Sequence, residues 1–112
     1  MTSPIVNSTF VGENAGHSTT EGVTNTFIGT SAGYGNTLGN HNVYVGEGAG
    51  KVLTTESGNT LLGTFSKAAA GVNKAVAIGF LAEVHQSDSV VLGTQATSVG
   101  IGTTAPQARL HV

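Results

Sequence analysis

The sequence predicts an all-β fold, a parallel β-solenoid whose coils shorten from about 17 residues to about 14. Three patterns predict it. Gly12, Gly29, Gly46 and Gly63 recur at an unbroken spacing of 17, and Gly79 and Gly93 follow at spacings of 16 and 14. The residue before each glycine is apolar, and two residues earlier a β-branched residue returns: Thr9, Thr26, Val43, Thr60, Val76, Val90 and Val99. Three residues after the glycine comes a small side chain: Ala15, Ala32, Ala49, Ser66, Ala82 and Ala96.

Each pattern has a physical reading. Branched side chains pack well on a pleated surface and lose freedom in a helix, so each triplet before a glycine is a short strand. Gly12, Gly29, Gly46, Gly63, Gly79 and Gly93 end the strands as turn glycines, tolerating sharp backbone angles and leaving room for the neighbouring coil. The small residue marks a tight interior corner. Asn7, Asn25, Asn42, Asn59 and Asn73 stand just ahead of strands, where turns need them and where stacked amides form hydrogen-bonded ladders. A last half-copy, Val99 to Gly102, brings the expected count to seven coils, a rod about 34 Å tall at one strand spacing per coil.

Positions two apart share a strand face. Val11, Ile28, Val45, Leu62, Ile78, Leu92 and Ile101 are therefore expected as the coil's structural core, together with the β-branched row two residues earlier. The middle positions then point the other way. Phe10, Phe27, Tyr44 and Leu61 make that opposite face an apolar stripe, continued by Ala77, Val91 and Gly100. A strand apolar on both faces is usually buried on both. The stripe is accordingly expected to be buried against a further chain, which the resemblance given below implies to be a homotrimer interface; a flattened coil with two-sided internal packing is the alternative.

Along the chain, residues 1–7 read as a lead-in or attachment segment, 8–97 as the repeat domain, and 98–112 as a terminal Val-Gly-Ile-Gly segment leading to a further domain or partner. The stretch Lys67 to Val72 is Ala-rich but reads as a coil corner, because the repeat resumes at Asn73. Pro106 cannot donate to a ladder and is expected to end the solenoid. Beyond it, residues 107–112 alternate like one more strand.

Composition narrows the function. Charged residues make up 9% of the chain and the net charge is −2, so nothing electrostatic points to nucleic acid. There is no cysteine for a disulfide framework or thiolate metal site. No signal peptide is expected from the first residues, and no segment has the length of a membrane span. Seventeen glycines without a three-residue period exclude collagen.

The segments Asn73 to Ala82 and Asp88 to Ala96 resemble the head repeats of YadA-like trimeric autotransporter adhesins, repeats that also occur in tail fibres of phages and contractile injection systems. The tail, Ser98 to Val112, is similar to a segment that often precedes an intramolecular chaperone in phage fibre and spike proteins. The resemblance implies a left-handed β-roll, a homotrimer, and a structural or receptor-binding role in host-surface attachment. It implies partners as well: fibre or baseplate proteins at the ends, and a cell-surface glycan or protein receptor. The expected location is a virion tail or extracellular fibre. A bacterial adhesin head is the alternative, although neither signal peptide nor membrane anchor is expected here, nor a chaperone within these residues.

Catalytic chemistry is thin, and neither enzyme activity nor cofactor nor metal is expected. His17, His41, His85 and His111 fall in turns at differing phases; stacking would let His17 and His41 approach each other, but solvated loop histidines are the simpler reading. Glu13 and Glu47 share a phase two coils apart, roughly 9.6 Å, which suits an inverting glycosidase in a β-solenoid enzyme. No aromatic sugar platform accompanies them, and a solvated face is preferred. An ice-binding surface would need a flat threonine array, but Val43 breaks the row Thr9, Thr26, Thr60, which is expected on the buried face.

Overall fold

The computed structural model describes residues 7–112, and these contain strands and turns but no helix. The other residues of the expected lead-in lie outside the described residues. Strands β1 (Thr9–Val11), β2 (Thr26–Ile28), β3 (Val43–Val45), β4 (Thr60–Leu62), β6 (Val76–Ile78) and β8 (Val90–Leu92) form one parallel sheet in that order. Its register aligns the repeats residue for residue: Phe10 pairs Phe27, Phe27 pairs Tyr44, Tyr44 pairs Leu61, Leu61 pairs Ala77 and Ala77 pairs Val91. Six passes of one chain through one sheet make a parallel β-solenoid of about five turns. On the second side, β5 (Lys67–Ala68) pairs β7 (Glu83–Val84), so the Ala-rich corner contains a short strand.

The interior lies on the face opposite to the one expected. Phe27, Tyr44, Leu61 and Ala77, the middle residues of their strands, are fully buried within the single chain. The stripe of Phe10, Phe27, Tyr44 and Leu61 is therefore the coil's own core and not a subunit interface. The expected core row faces outward: Val11 is 55% exposed, Leu92 48%, and Ile28 and Ile78 are also exposed, while Val45 and Leu62 are half-buried. Aromatic packing explains the inversion. Phe10, Phe27 and Tyr44 stack face to face, with centroids 5.0 and 4.8 Å apart and planes within 10°. One ring per coil at the strand spacing fills a narrow interior with continuous contact.

Glycine makes room for this column. Gly16, Gly33 and Gly50 sit six residues after Phe10, Phe27 and Tyr44, in the left-handed conformation, with the ring against each Cα. Once Leu61 and Ala77 replace the rings, Lys67 and Glu83 occupy that sixth position and start β5 and β7. The coil also contracts, because a smaller inward residue needs a shorter perimeter. The strand-ending glycines meet a different limit. Gly46 has φ +129°, and a β-carbon on it would fall 2.6 Å from the carbonyl carbon of Gly63 in the next coil. Interior corners are closed by Ala32, Ala49, Ser66 and Ala82, all buried.

Two polar ladders tie the coils together. Asn25, Asn42 and Asn59 are fully buried. The Oδ1 of Asn25 accepts from the N–H of Asn42, that of Asn42 from Asn59, and that of Asn59 from Ala75, at 2.9–3.0 Å. Their Nδ2 groups donate to the carbonyls of Gly39, Glu56 and Val72. The ladder thus runs from amide to backbone, and Asn73 belongs to another row. There Val23 N–H donates to Asn40, Asn40 N–H to Ser57, Ser57 N–H to Asn73 and Asn73 N–H to Ser87. Asn7 is instead an exposed turn residue with φ 57°.

The expected seventh coil leaves the stack. β9 (Val99–Gly100) pairs in parallel with β10 (Leu110–His111) in a separate two-stranded sheet, and Ile101 is 58% exposed rather than core. The main sheet therefore ends at β8, before Pro106 is reached.

Candidate interaction surfaces

The largest regular surface is the outer face of the six-stranded sheet. It carries two parallel rows, Thr9, Thr26, Val43, Thr60, Val76, Val90 and Val11, Ile28, Val45, Leu62, Ile78, Leu92. Neither row contains a charged side chain. Alternation along each strand puts both rows outside once the middle residue is inside. The threonine row thus lies on the exposed side of the sheet, contrary to the sequence expectation, with Val43 still interrupting it.

Exposed turns on the second side make a different surface. The rings of His17 and Tyr34 stack 4.7 Å apart and 4° from parallel, one coil above the other, and register places Lys51 next in that row. His41 occupies another corner, ahead of β3, in the left-handed conformation. The two histidines are thus on separate rows. His85 is exposed and bonded to Glu83 at 2.6 Å, and His111 is half-buried in the tail. No group of three or more metal-ligating side chains is found among the described residues. Glu13 and Glu47 share a row two coils apart, both exposed, with Thr30 between them.

Charge concentrates in the shorter coils as cross-coil pairs. Lys67 and Glu83 meet at 3.5 Å across β5 and β7, and Lys74 and Asp88 meet at 3.5 Å at a turn. Desolvation opposes ionisation of Glu83, but the His85 hydrogen bond and the Lys67 charge outweigh it and hold its carboxyl below the usual range.

Glu56 is a buried carboxylate that sequence reading passed over. In the longer coils, turn N–H groups donate to a carbonyl of the next coil, as Thr37 and Leu38 do to Thr54. Where the next coil loses a residue, the Glu56 side chain replaces that carbonyl. Its Oε1 accepts from Thr54 and Thr55 at 2.8 and 3.0 Å, and its Oε2 from Gly71 at 2.8 Å. Burial opposes its charge, yet the N–H donors prevail and hold its carboxyl below the ordinary value. Burial also pushes the Tyr44 phenol well above its usual range.

The C-terminal end of the roll is open. A cavity of ≈ 510 Å³ has Glu83, His85, Val91 and Arg109 in its walls. Beside it a mostly apolar groove of ≈ 580 Å³ runs between Ile78, Phe80, Leu81, Leu92 and the tail residue Val99. Among the described residues no helix is long and apolar enough to cross a membrane. Compared with known proteins, the chain matches no family model and no curated sequence.

Proposed function

We propose that the chain is a structural and receptor-binding module of a homotrimeric fibre, carried by a phage tail or a contractile injection system and serving attachment to a host surface. The observation that supports it is the uncharged outer face of the six-stranded sheet. Parallel strands with apolar side chains on both faces are ordinarily covered on both. The coil covers one face, and two further copies around a fibre axis would cover the other. Rigidity would come from the stacked strands and the asparagine ladders. Recognition of a cell-surface glycan or protein would fall to the exposed second-side turns around His17 and Tyr34, presented three times for avidity. The ends of the rod would meet other fibre or baseplate proteins. A left-handed β-roll in a bacterial trimeric adhesin head is the second reading, supported by the same outer face.

Native mass spectrometry of two variants tests the reading. Val45→Lys puts a charge at the centre of the outer face; Val52→Lys puts one on an exposed turn. The expected result is loss of the trimer for Val45→Lys alone, with the monomer still folded. A trimer indifferent to Val45→Lys would sink the outer-face assignment.

A further inference from the structure

The corner that follows each strand changes character along the rod. In the first three coils its two residues are Glu13-Asn14, Thr30-Ser31 and Glu47-Gly48; in the next two they are Thr64-Phe65 and Phe80-Leu81. The second of each pair takes a left-handed backbone: φ is 59° at Asn14, 60° at Ser31, 66° at Gly48, 54° at Phe65 and 61° at Leu81. Asparagine and glycine adopt this conformation at little cost, whereas bulky side chains are strained in it. Phe65 recovers part of that strain by laying its ring over the Cα of Gly48. Leu81 remains half exposed, and Phe80 beside it is 67% exposed. The isolated chain thus carries strain and apolar exposure together at one place, with little return for either.

That place adjoins other unfilled apolar surface. The groove of ≈ 580 Å³ has Phe80 and Leu81 as one wall and Leu92 and Val99 as another, and none of its lining residues is charged. Ile78 and Leu92 belong both to the groove and to the outer row of the sheet.

We propose that copies of this chain grip one another chiefly through this C-terminal corner, with Phe80 and Leu81 as the anchors, while the outer sheet face of the first coils adds contact without fixing the register. The inference rests on the homotrimer reading and says where its binding energy lies. The occupant is a second copy because the corner is continuous with the outer rows that the trimer would cover. Charge agrees: an uncharged groove suits an uncharged partner surface, and the outer face is one. Interfaces concentrate their energy in a few large side chains seated in desolvated pockets, and this corner offers such side chains beside a groove.

Sedimentation over a dilution series of the full chain tests it, with Phe80→Asp, Leu81→Asn and the exposed-turn control Val52→Asp. Leu81→Asn is the sharper variant, since asparagine takes the left-handed backbone readily and the monomer keeps or gains stability in thermal unfolding. The expected result is a trimer whose dissociation moves to concentrations at least about tenfold higher in Phe80→Asp and Leu81→Asn, with Val52→Asp unchanged. A trimer that dissociates alike in all four proteins overturns the corner assignment and leaves the trimer standing. A wild-type chain that stays monomeric at every concentration overturns both. If Phe80→Asp fails to fold, Leu81→Asn alone decides between these outcomes.

Discussion

The Cα of Gly50 lies against the ring of Tyr44, so close that a β-carbon there would come within 2.5 Å of ring carbons Cδ2 and Cε2. The ring is held in a packed column, with Phe27 of the preceding coil stacked on it. Gly50→Ala therefore combines a left-handed alanine with a clash in a packed column. We expect a loss of about 2–4 kcal/mol, read by denaturant unfolding. Adding Tyr44→Leu should restore part of it, because Leu61 has Lys67 at the equivalent sixth position.

Tyr44 itself carries an unpaired group. Its hydroxyl is buried with no hydrogen-bond partner among the described residues. Asn59 acts on the phenol from nearby, with one Nδ2 hydrogen given to the Val72 carbonyl and its Oδ1 accepting from the Ala75 N–H. Tyr44→Phe should raise stability by about 1 kcal/mol, since a buried hydroxyl without a partner is a net cost. A fall in melting temperature would show that the hydroxyl is satisfied.

The asparagine ladder predicts a graded series. Asn42→Ala leaves the Asn59 N–H and the Glu56 carbonyl unpaired and opens a small void, at a cost of about 2–4 kcal/mol. Asn42→Ser keeps an acceptor for the Asn59 N–H, as Ser8 does for Asn25, and should cost about half as much. Equal losses would mean that the hydrogen bond to the next coil contributes little.

Glu56 predicts the acid response. Its carboxyl is held below its ordinary value, so its stabilisation is fully present above the unfolded-state pKa, about 4.3, and is lost as the pH falls through the lower folded-state value. Glu56→Gln should cost about 1–3 kcal/mol at neutral pH, because the amide turns a donor towards Gly71 N–H. The difference from wild type should shrink below pH 4. Glu83 titrates in the same direction in both proteins and cancels in the comparison. A difference independent of pH would remove the carboxylate from the account.

The repeat, the six strands of the main sheet and their register were legible in the sequence, because one such strand per coil at fixed spacing leaves few ways to stack; the short second-side strands β5 and β7 were not. The inside and the outside were not. Alternation separates two faces, but polarity contrast must say which is buried, and here Val11, Ile28 and Val45 are as apolar as Phe10, Phe27 and Tyr44. Local signals did exist: glycine stands six residues after every ring and is replaced when Leu61 or Ala77 takes the ring's place, and the coil shortens with that inward side chain. Glu56 escaped notice for another reason. Its role arises only where coils of unequal length meet, a property of the stack and not of any single coil. The fate of Val99 to Gly102 was hidden likewise, since the motif is right but its partner is the tail strand β10.

The most direct measurement is the solution mass of the purified chain by light scattering. The trimeric fibre reading predicts three times the chain mass of 11.2 kDa at concentrations above its dissociation. A well-behaved particle of 11.2 kDa would contradict it and leave the outer rows of the sheet as the solvated face of a single-chain solenoid.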